Sequence, residues 1–328
     1  MRVSVIVPTR NRAALLARAV AGVAAQDHPD VELIVVDDGS TAQQSSLNAQ
    51  VVRVVPWARR LVLEPAGIKG SGPSAVRNEG IAAAHGELIA FCDDDDHWCA
   101  RDFLAIAVAA FAADAHLDIV FGNQEAVANG AVTYATWQPQ LDKVVAARGA
   151  APGQATPVTR AESLVAAGDF AHMNTCVIRK TLLDAVGGFD AALHYCEDLD
   201  LFVRAADRAR GIAYLRHTVA RHHVPDRSRR DNASTRLDEH ARNVTLDRIA
   251  TRLVEHCITP EAQAYGRQLG AQACRTLARE AAAGALAGEA LTWARRAGAW
   301  RPTLRWTLYT QLLRLRALLA PGKRKRGG

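Results

Sequence analysis

The sequence predicts an α/β protein, a parallel-sheet domain followed by a helical region. Three observations carry this. Residues 3–7 and 31–36 are short β-branched runs separated by a helical pattern at 13–26, and strand, helix, strand at this spacing implies a right-handed crossover in a parallel sheet. The apolar runs at 3–7, 31–36 and 87–92 each give way to a polar loop, as at the carboxyl edge of an open sheet where ligands gather. From residue 235 onward the pattern is helical throughout. At 328 residues there is room for one large domain, assigned to 1–234, and an extension over 235–328.

Taken in order, the strand at 3–7 ends at Pro8 and a loop runs through Arg12. The helix at 13–26 sets Leu15, Leu16, Ala19, Val20 and Val23 on one face. The strand at 31–36 ends in Asp37-Asp38-Gly39-Ser40. Residues 51–55 and 61–63 read as weaker strands. Residues 67–73 form a glycine-rich loop with Lys69, opening a helix at 74–84 that carries Arg77; a diphosphate or an ordinary surface loop both fit. A helix at 100–113 and a strand at 117–122 follow. Asn129-Gly130 marks a hairpin over 125–136, expected outside the parallel sheet. Residues 137–157 read as a loop or lid, 160–167 as a short helix, 175–178 as a strand and 180–186 as a helix. Glu197 and Asp198 open a helix running to about 209, where carboxylates suit the helix dipole. Two strands at 212–215 and 218–222 lead to His222 and His223. Helices at 235–256, 260–283, 285–297 and 302–319 complete the chain.

The run Asp93-Asp94-Asp95-Asp96 at the end of the third apolar strand stands apart. Adjacent carboxylates repel, so their clustering costs stability unless a cation neutralises them. Oxygen ligands of this kind suit Mg²⁺ or Mn²⁺; a solvated, helix-capping turn is the plainer reading.

The 40 basic and 34 acidic residues give a net charge of +6, unevenly placed. No acidic residue follows Glu289, whereas Arg295, Arg296, Arg301, Arg305, Arg314, Arg316, Lys323, Arg324, Lys325 and Arg326 do. Such an end fits an anionic surface or serves solubility. Leucines recurring at helical spacing from Leu304 fit either a membrane interface or a packed helical hairpin. Six cysteines show no C-x-x-C pair, which fits a reducing compartment. No signal-peptide core or membrane span is read, so the protein is expected in the cytoplasm, held at most peripherally at the inner face of the cell membrane.

Six motifs then occur in order: Val5-Ile6-Val7-Pro8-Thr9-Arg10-Asn11-Arg12, Val35-Val36-Asp37-Asp38-Gly39-Ser40, Ala75-Val76-Arg77-Asn78-Glu79-Gly80, Phe91-Cys92-Asp93-Asp94-Asp95-Asp96-His97-Trp98, Gly187-Gly188-Phe189-Asp190 and Glu197-Asp198-Leu199-Asp200-Leu201. Together they resemble the inverting family 2 glycosyltransferases over about residues 1–235. The resemblance implies the GT-A fold, a Rossmann-like, doubly wound mixed sheet, here with a helical extension. It implies a nucleotide-sugar donor of the uridine diphosphate type, Mn²⁺ or Mg²⁺, and transfer with inversion. Pro8, Thr9 and Arg12 would lie at the donor. Asp38, or Asp37 beside it, would bond the nucleobase. Arg77 would approach the base or diphosphate. Asp93 would face the ribose and Asp95 the metal, with Asp94 open as an alternative in the same run. Asp198, paired with Glu197, would be the general base. His223 would close the metal site, with His222 as its neighbour and rival.

The chain departs from the processive members, which carry Gln-x-x-Arg-Trp and membrane spans; Pro302 stands at the glutamine position before Arg305-Trp306. The expectation is therefore transfer of one sugar to a glycan or lipid-linked acceptor in surface-polysaccharide synthesis. Two other readings are a sugar-phosphate nucleotidyltransferase and a nucleic-acid or membrane-binding module using the basic end. The first would want a glycine-rich loop after the first strand, where Pro8 to Arg12 contain no glycine. For the second, no helix-turn-helix or zinc pattern is present, and no nucleic acid is expected.

Overall fold

The computed structural model describes residues 1–64, 67, 70–166, 170–224, 235 and 237–319. Lys69, the polar stretch 226–234 and the basic cluster at 323–326 lie outside the described residues. The chain divides into two compact units, Met1–Arg229 and Arg230–Gly328.

The first unit is built on a ten-stranded mixed sheet. Strand β1 (Val3–Thr9) pairs in parallel with β2 (Val31–Asp37) on one side and β4 (Leu88–Phe91) on the other, and β3 (Ala58–Val62) extends it beyond β2. Pro8 does not end β1; it lies in register with Val36 one residue before the strand stops. Past β4 come β9 (Cys176–Arg179), β6 (Leu117–Ala128), β10 (Gly211–His223) and β5 (His97–Trp98). β9 runs antiparallel to both its neighbours, whereas β6 and β10 are parallel to each other. The mixed character therefore enters at β9. Helix α1 (Ala13–Ala24) buries Leu16, Ala19, Val20 and Val23 in a core that continues through Val5, Leu33, Leu88, Trp98, Phe103 and Phe111.

Several expectations from sequence are corrected. Residues 51–55 are not a strand: they end helix α2 (Ala42–Arg53), whose amino terminus is capped by the Thr41 hydroxyl accepting from the Gln44 amide. The β-branched run there was misleading, because Asn48 and Val52 are the residues buried, one turn apart. The hairpin lies within the sheet, since β7 (Ala131–Tyr134) folds back on the far half of β6. Residues 137–157 hold helix α5 (Pro139–Ala147) and the start of β8 (Ala155–Val158), which pairs with β10. The strands expected at 212–215 and 218–222 are one long strand, irregular between Leu215 and Thr218. The helix expected at 160–167 is a single wide turn, Glu162–Ala166. Helices α3 (Pro73–Ala83), α4 (Phe103–Ala113), α6 (Lys180–Val186) and α7 (Glu197–Arg208) fall close to where periodicity puts them.

The second unit holds α8 (Glu239–His256), α9 (Pro260–Ala283), α10 (Ala287–Trp300) and α11 (Leu304–Leu319). Its core is made of small residues, Cys274, Ala278, Ala290, Ala294 and Ala297, closed by Trp306 and Leu313. Buried Asp247 gathers donors from Cys274, Arg296 and Trp300.

Candidate active site

Parallel pairing brings the ends of β1, β2 and β4 to one edge, and three loops meet there. The Asp38 amide donates to the Thr9 carbonyl (2.9 Å), and the Thr9 hydroxyl donates to Asp94 (2.8 Å). Asp37 is fully buried and taken up by the Ser40 amide, Asn48 and Arg60. That leaves Asp38 as the carboxylate at the edge, where both its oxygens accept from the Ser71 amide at 2.9 and 3.0 Å. Gly70, at φ +76°, passes so close that a Cβ would strike Arg10 and Asp38. The glycine-rich loop is thus held against the base-binding candidate by the absence of a side chain.

The four aspartates have four different surroundings. Asp94 is buried and faces inward to Thr9 and Arg12. Asp96 is buried and accepts from Asn174, from His222 Nδ1 (3.0 Å) and from the His223 amide (2.7 Å). Asp95 shares the Arg12 guanidinium at 3.0 Å. Asp93 pairs with Arg77. Desolvation raises the Asp94 pKa to about 6 and, with three neighbouring carboxylates adding to it, raises Asp95 to about 7. Asp93 moves the other way: burial works against its charge, and Arg77 overcomes it.

Arg77 is the hinge of the site. It is buried on α3, with one nitrogen on Asp93 and the other on Glu197 at 2.9 Å. Burial opposes its charge, and Asp93, Glu197 and Asp198 together restore it, raising its pKa. Glu197 and Asp198 enter α7 after Cys196 in a left-handed turn (φ +55°). Glu197 faces Arg77, and Asp198 faces His172 at 3.6 Å. Desolvation raises Asp198 to about 6, so this carboxylate holds a proton more readily than an ordinary one.

Histidines lie beside the aspartate run, and His222 and His223 differ in what they face. The His223 ring faces His97 Nδ1 (3.2 Å), and burial lowers its pKa. His222 and His172 instead lie with Asp96 so that one ligand atom of each falls within 4.8 Å of the others; Asp93, Asp95 and Asp96 form a second such group. The three-carboxylate group suits Mn²⁺ or Mg²⁺, whereas imidazole nitrogens beside a carboxylate favour a transition ion such as Mn²⁺ over Mg²⁺. The two rings differ in charge: burial and His222 depress His172 to about 4, keeping it neutral, whereas burial of His222 is outweighed by Asp96, which raises its pKa and favours its protonated form while no cation is bound. Trp137 packs on both rings, with centroids 5.5 Å from His172 and 5.7 Å from His222. In the sequence, His172 to Asn174 read only as part of an acceptor pocket, with no code that ties His172 or Asn174 to the aspartate run.

The family described as Glycosyl transferase family 2 matches residues 4–142. Among curated relatives, the GalNAc(5)-diNAcBac-PP-undecaprenol beta-1,3-glucosyltransferase of Campylobacter jejuni is 33% identical over 122 residues, 37% of this chain and 38% of that one. The chain spans about 40% of the length of the first relatives it matches. Among solved structures, residues 1–349 of S. aureus TarS in complex with UDP-GlcNAc align over 97% of this chain and 88% of that one, with a TM-score of 0.65 and 20% identity. The mannosyltransferase PcManGT of Pyrobaculum calidifontis, in complex with GDP-Man and Mn2+, aligns over 97% and 86% with a TM-score of 0.58 and 22% identity. The matched residues include the ends of β1, β2 and β4 and the whole aspartate run, and the sheet is shared with these structures: residues 4–142 are similar to the family 2 glycosyltransferases, and the chain has the GT-A fold.

Proposed function

We propose that the protein transfers a single sugar, with inversion, from a nucleotide-sugar donor of the uridine diphosphate type to a glycan or lipid-linked acceptor in surface-polysaccharide synthesis. The observation that carries this reading is the junction at Arg77, which ties the aspartate run to the Glu197–Asp198 pair within one site. Asp38 at the edge of β2 is placed to accept from the nucleobase, with Pro8 and Thr9 beside it. Arg12 and Arg77 offer the positive charge a diphosphate needs. Asp93 and Asp95, with Asp96, His222 and His172, would hold Mn²⁺ or Mg²⁺; the geometry favours His222 over His223 in this role. An ion held there would supply Lewis-acid stabilisation of the charge on the departing diphosphate. Asp198 takes the proton of the acceptor hydroxyl, and Glu197 keeps Arg77 in place beside it. One base and one displacement give inversion, so an α-linked donor yields a β-linked product. A lipid-linked acceptor lies at a membrane, and this reading places the enzyme at the inner face of the cell membrane. Residues 1–234 would form the catalytic domain and 235–328 a helical accessory region.

The test is a panel of nucleotide sugars with and without Mn²⁺, reading nucleoside diphosphate release. Metal-dependent release from a uridine diphosphate sugar is expected, with kcat lowered at least about a hundredfold in Asp198→Asn. Pyrophosphate release from a nucleoside triphosphate and a sugar phosphate would point to a nucleotidyltransferase instead.

A further inference from the structure

Helix α11 has two apolar faces, and only one is used. Trp306 and Leu313 are buried against the small residues of α9 and α10, and the Trp306 indole donates to the Ala294 carbonyl (2.8 Å). On the opposite side, Leu304, Leu308, Leu312, Leu315 and Leu318 are 44 to 80% exposed. At about 100° per residue these five fall within an arc of about 120°, roughly opposite Trp306 and Leu313. Gln311 is the one polar residue among them. Arg305 and Arg316 border the arc on one side and Arg314 on the other, all exposed.

Single exposed leucines are ordinary, but five on one stripe of a helix are not. The sequence alone allowed this stripe to be packing surface. The structure removes that option within the second unit, because the helix packs through its other face. The occupant is indicated by charge. Arginines flank the leucines, and no acidic residue follows Glu289 anywhere in the chain. No helix among the described residues is long and apolar enough to cross a membrane. Leucines on one face bordered by arginines fit a helix lying in the interface, leucines in the acyl boundary and guanidinium groups at the level of anionic headgroups.

We propose that α11 docks the protein on an anionic lipid surface through the Leu304–Leu308–Leu312–Leu315–Leu318 face, with Arg305, Arg314 and Arg316 paired to lipid phosphates. The proposal concerns vesicle binding alone and stands apart from the donor chemistry. A failed donor panel would leave it intact, and failed vesicle binding would leave the donor chemistry intact.

The experiment is flotation of the full chain with vesicles of phosphatidylcholine, with and without phosphatidylglycerol. Binding is expected to the mixed vesicles and to fall with added salt, with little to phosphatidylcholine alone. The double variant Leu308→Asp, Leu315→Asp should lose at least about tenfold in apparent vesicle affinity while keeping its thermal melt, since both side chains stand in solvent. Should that variant fold poorly, Leu308→Gln with Leu315→Gln serves in its place. Three results would overturn the proposal. The wild-type chain stays clear of anionic vesicles; the variants float as well as the wild type, so that charge alone drives binding; or the wild type self-associates and the variants are monomers, so that a second copy covers this face.

Discussion

At the residue scale, burial raises the pKa values of Asp94, Asp95 and Asp198, and neighbouring carboxylates add to it against the lowering effect of Arg12 and Arg77. A group whose folded pKa lies above its ordinary value favours the folded state when protonated, and this contribution is lost as pH rises through the folded pKa. For these aspartates the window lies between the ordinary value of 3.8 and about 6 to 7. A bound divalent ion should restore the stability lost above that window. Mn²⁺ at about a hundredfold over its Kd should therefore raise Tm by about 5 °C at neutral pH, and by much less below the window; differential scanning calorimetry at two pH values checks this. The histidines give a second prediction. His222→Ala should weaken Mn²⁺ binding about 10- to 100-fold by titration calorimetry, whereas His223→Ala should change it little, because the His223 ring faces His97. This level of detail was only partly legible in the sequence. Four consecutive aspartates and two consecutive histidines announce a site but carry no register, because which side chain faces inward depends on partners such as Thr9, Arg12 and Asn174, distant in the chain. His172 was hidden for the same reason.

At the scale of elements, periodicity found helices with a regular apolar face and missed what is pinned by polar contacts. Helices at 180–186 and 260–283 were read to the residue. Helix α5 was read as loop because Gly, Pro and polar residues surround a short apolar pattern, with Leu141 and Val145 as its buried residues. Its position rests on Asp142, which accepts from Asn123 (3.0 Å), Thr136 (3.0 Å) and the Tyr214 hydroxyl (2.6 Å). Asp142→Ala would leave the Tyr214 hydroxyl on β10 without this acceptor and take one from Asn123 on β6 and from Thr136. It should cost about 2–3 kcal/mol in urea denaturation, and Asp142→Asn, which keeps an acceptor, less. Strand β10 likewise escaped as a single element because its irregularity at Leu215 to Thr218 breaks the alternation that marks a strand.

At the scale of the whole molecule, each unit has its own packing among the described residues, large aliphatic and aromatic residues around the sheet in the first and alanines among helices in the second. The composition shift at about residue 235 was visible in the sequence, as was the acid-free end; which leucines that end buries was not, because both faces of α11 are apolar. Two cores imply independent failure. Asp247→Ala strands Arg296 and the Trp300 indole and should destabilise the helical unit by about 2 kcal/mol, read by circular dichroism. The same variant should bind Mn²⁺ as the wild type does, since the aspartate run belongs to the first unit.

One guanidinium held jointly by Asp93 and Glu197 has a kinetic consequence. Whatever pulls Asp93 toward an incoming donor frees part of Arg77 for its other partner, and so changes the electrostatics felt by Asp198. By reciprocity the ionisation of Asp198 alters how tightly the donor is gripped. The donor KM should then change as pH passes the Asp198 ionisation at about 6, which initial rates on either side of that pH read directly.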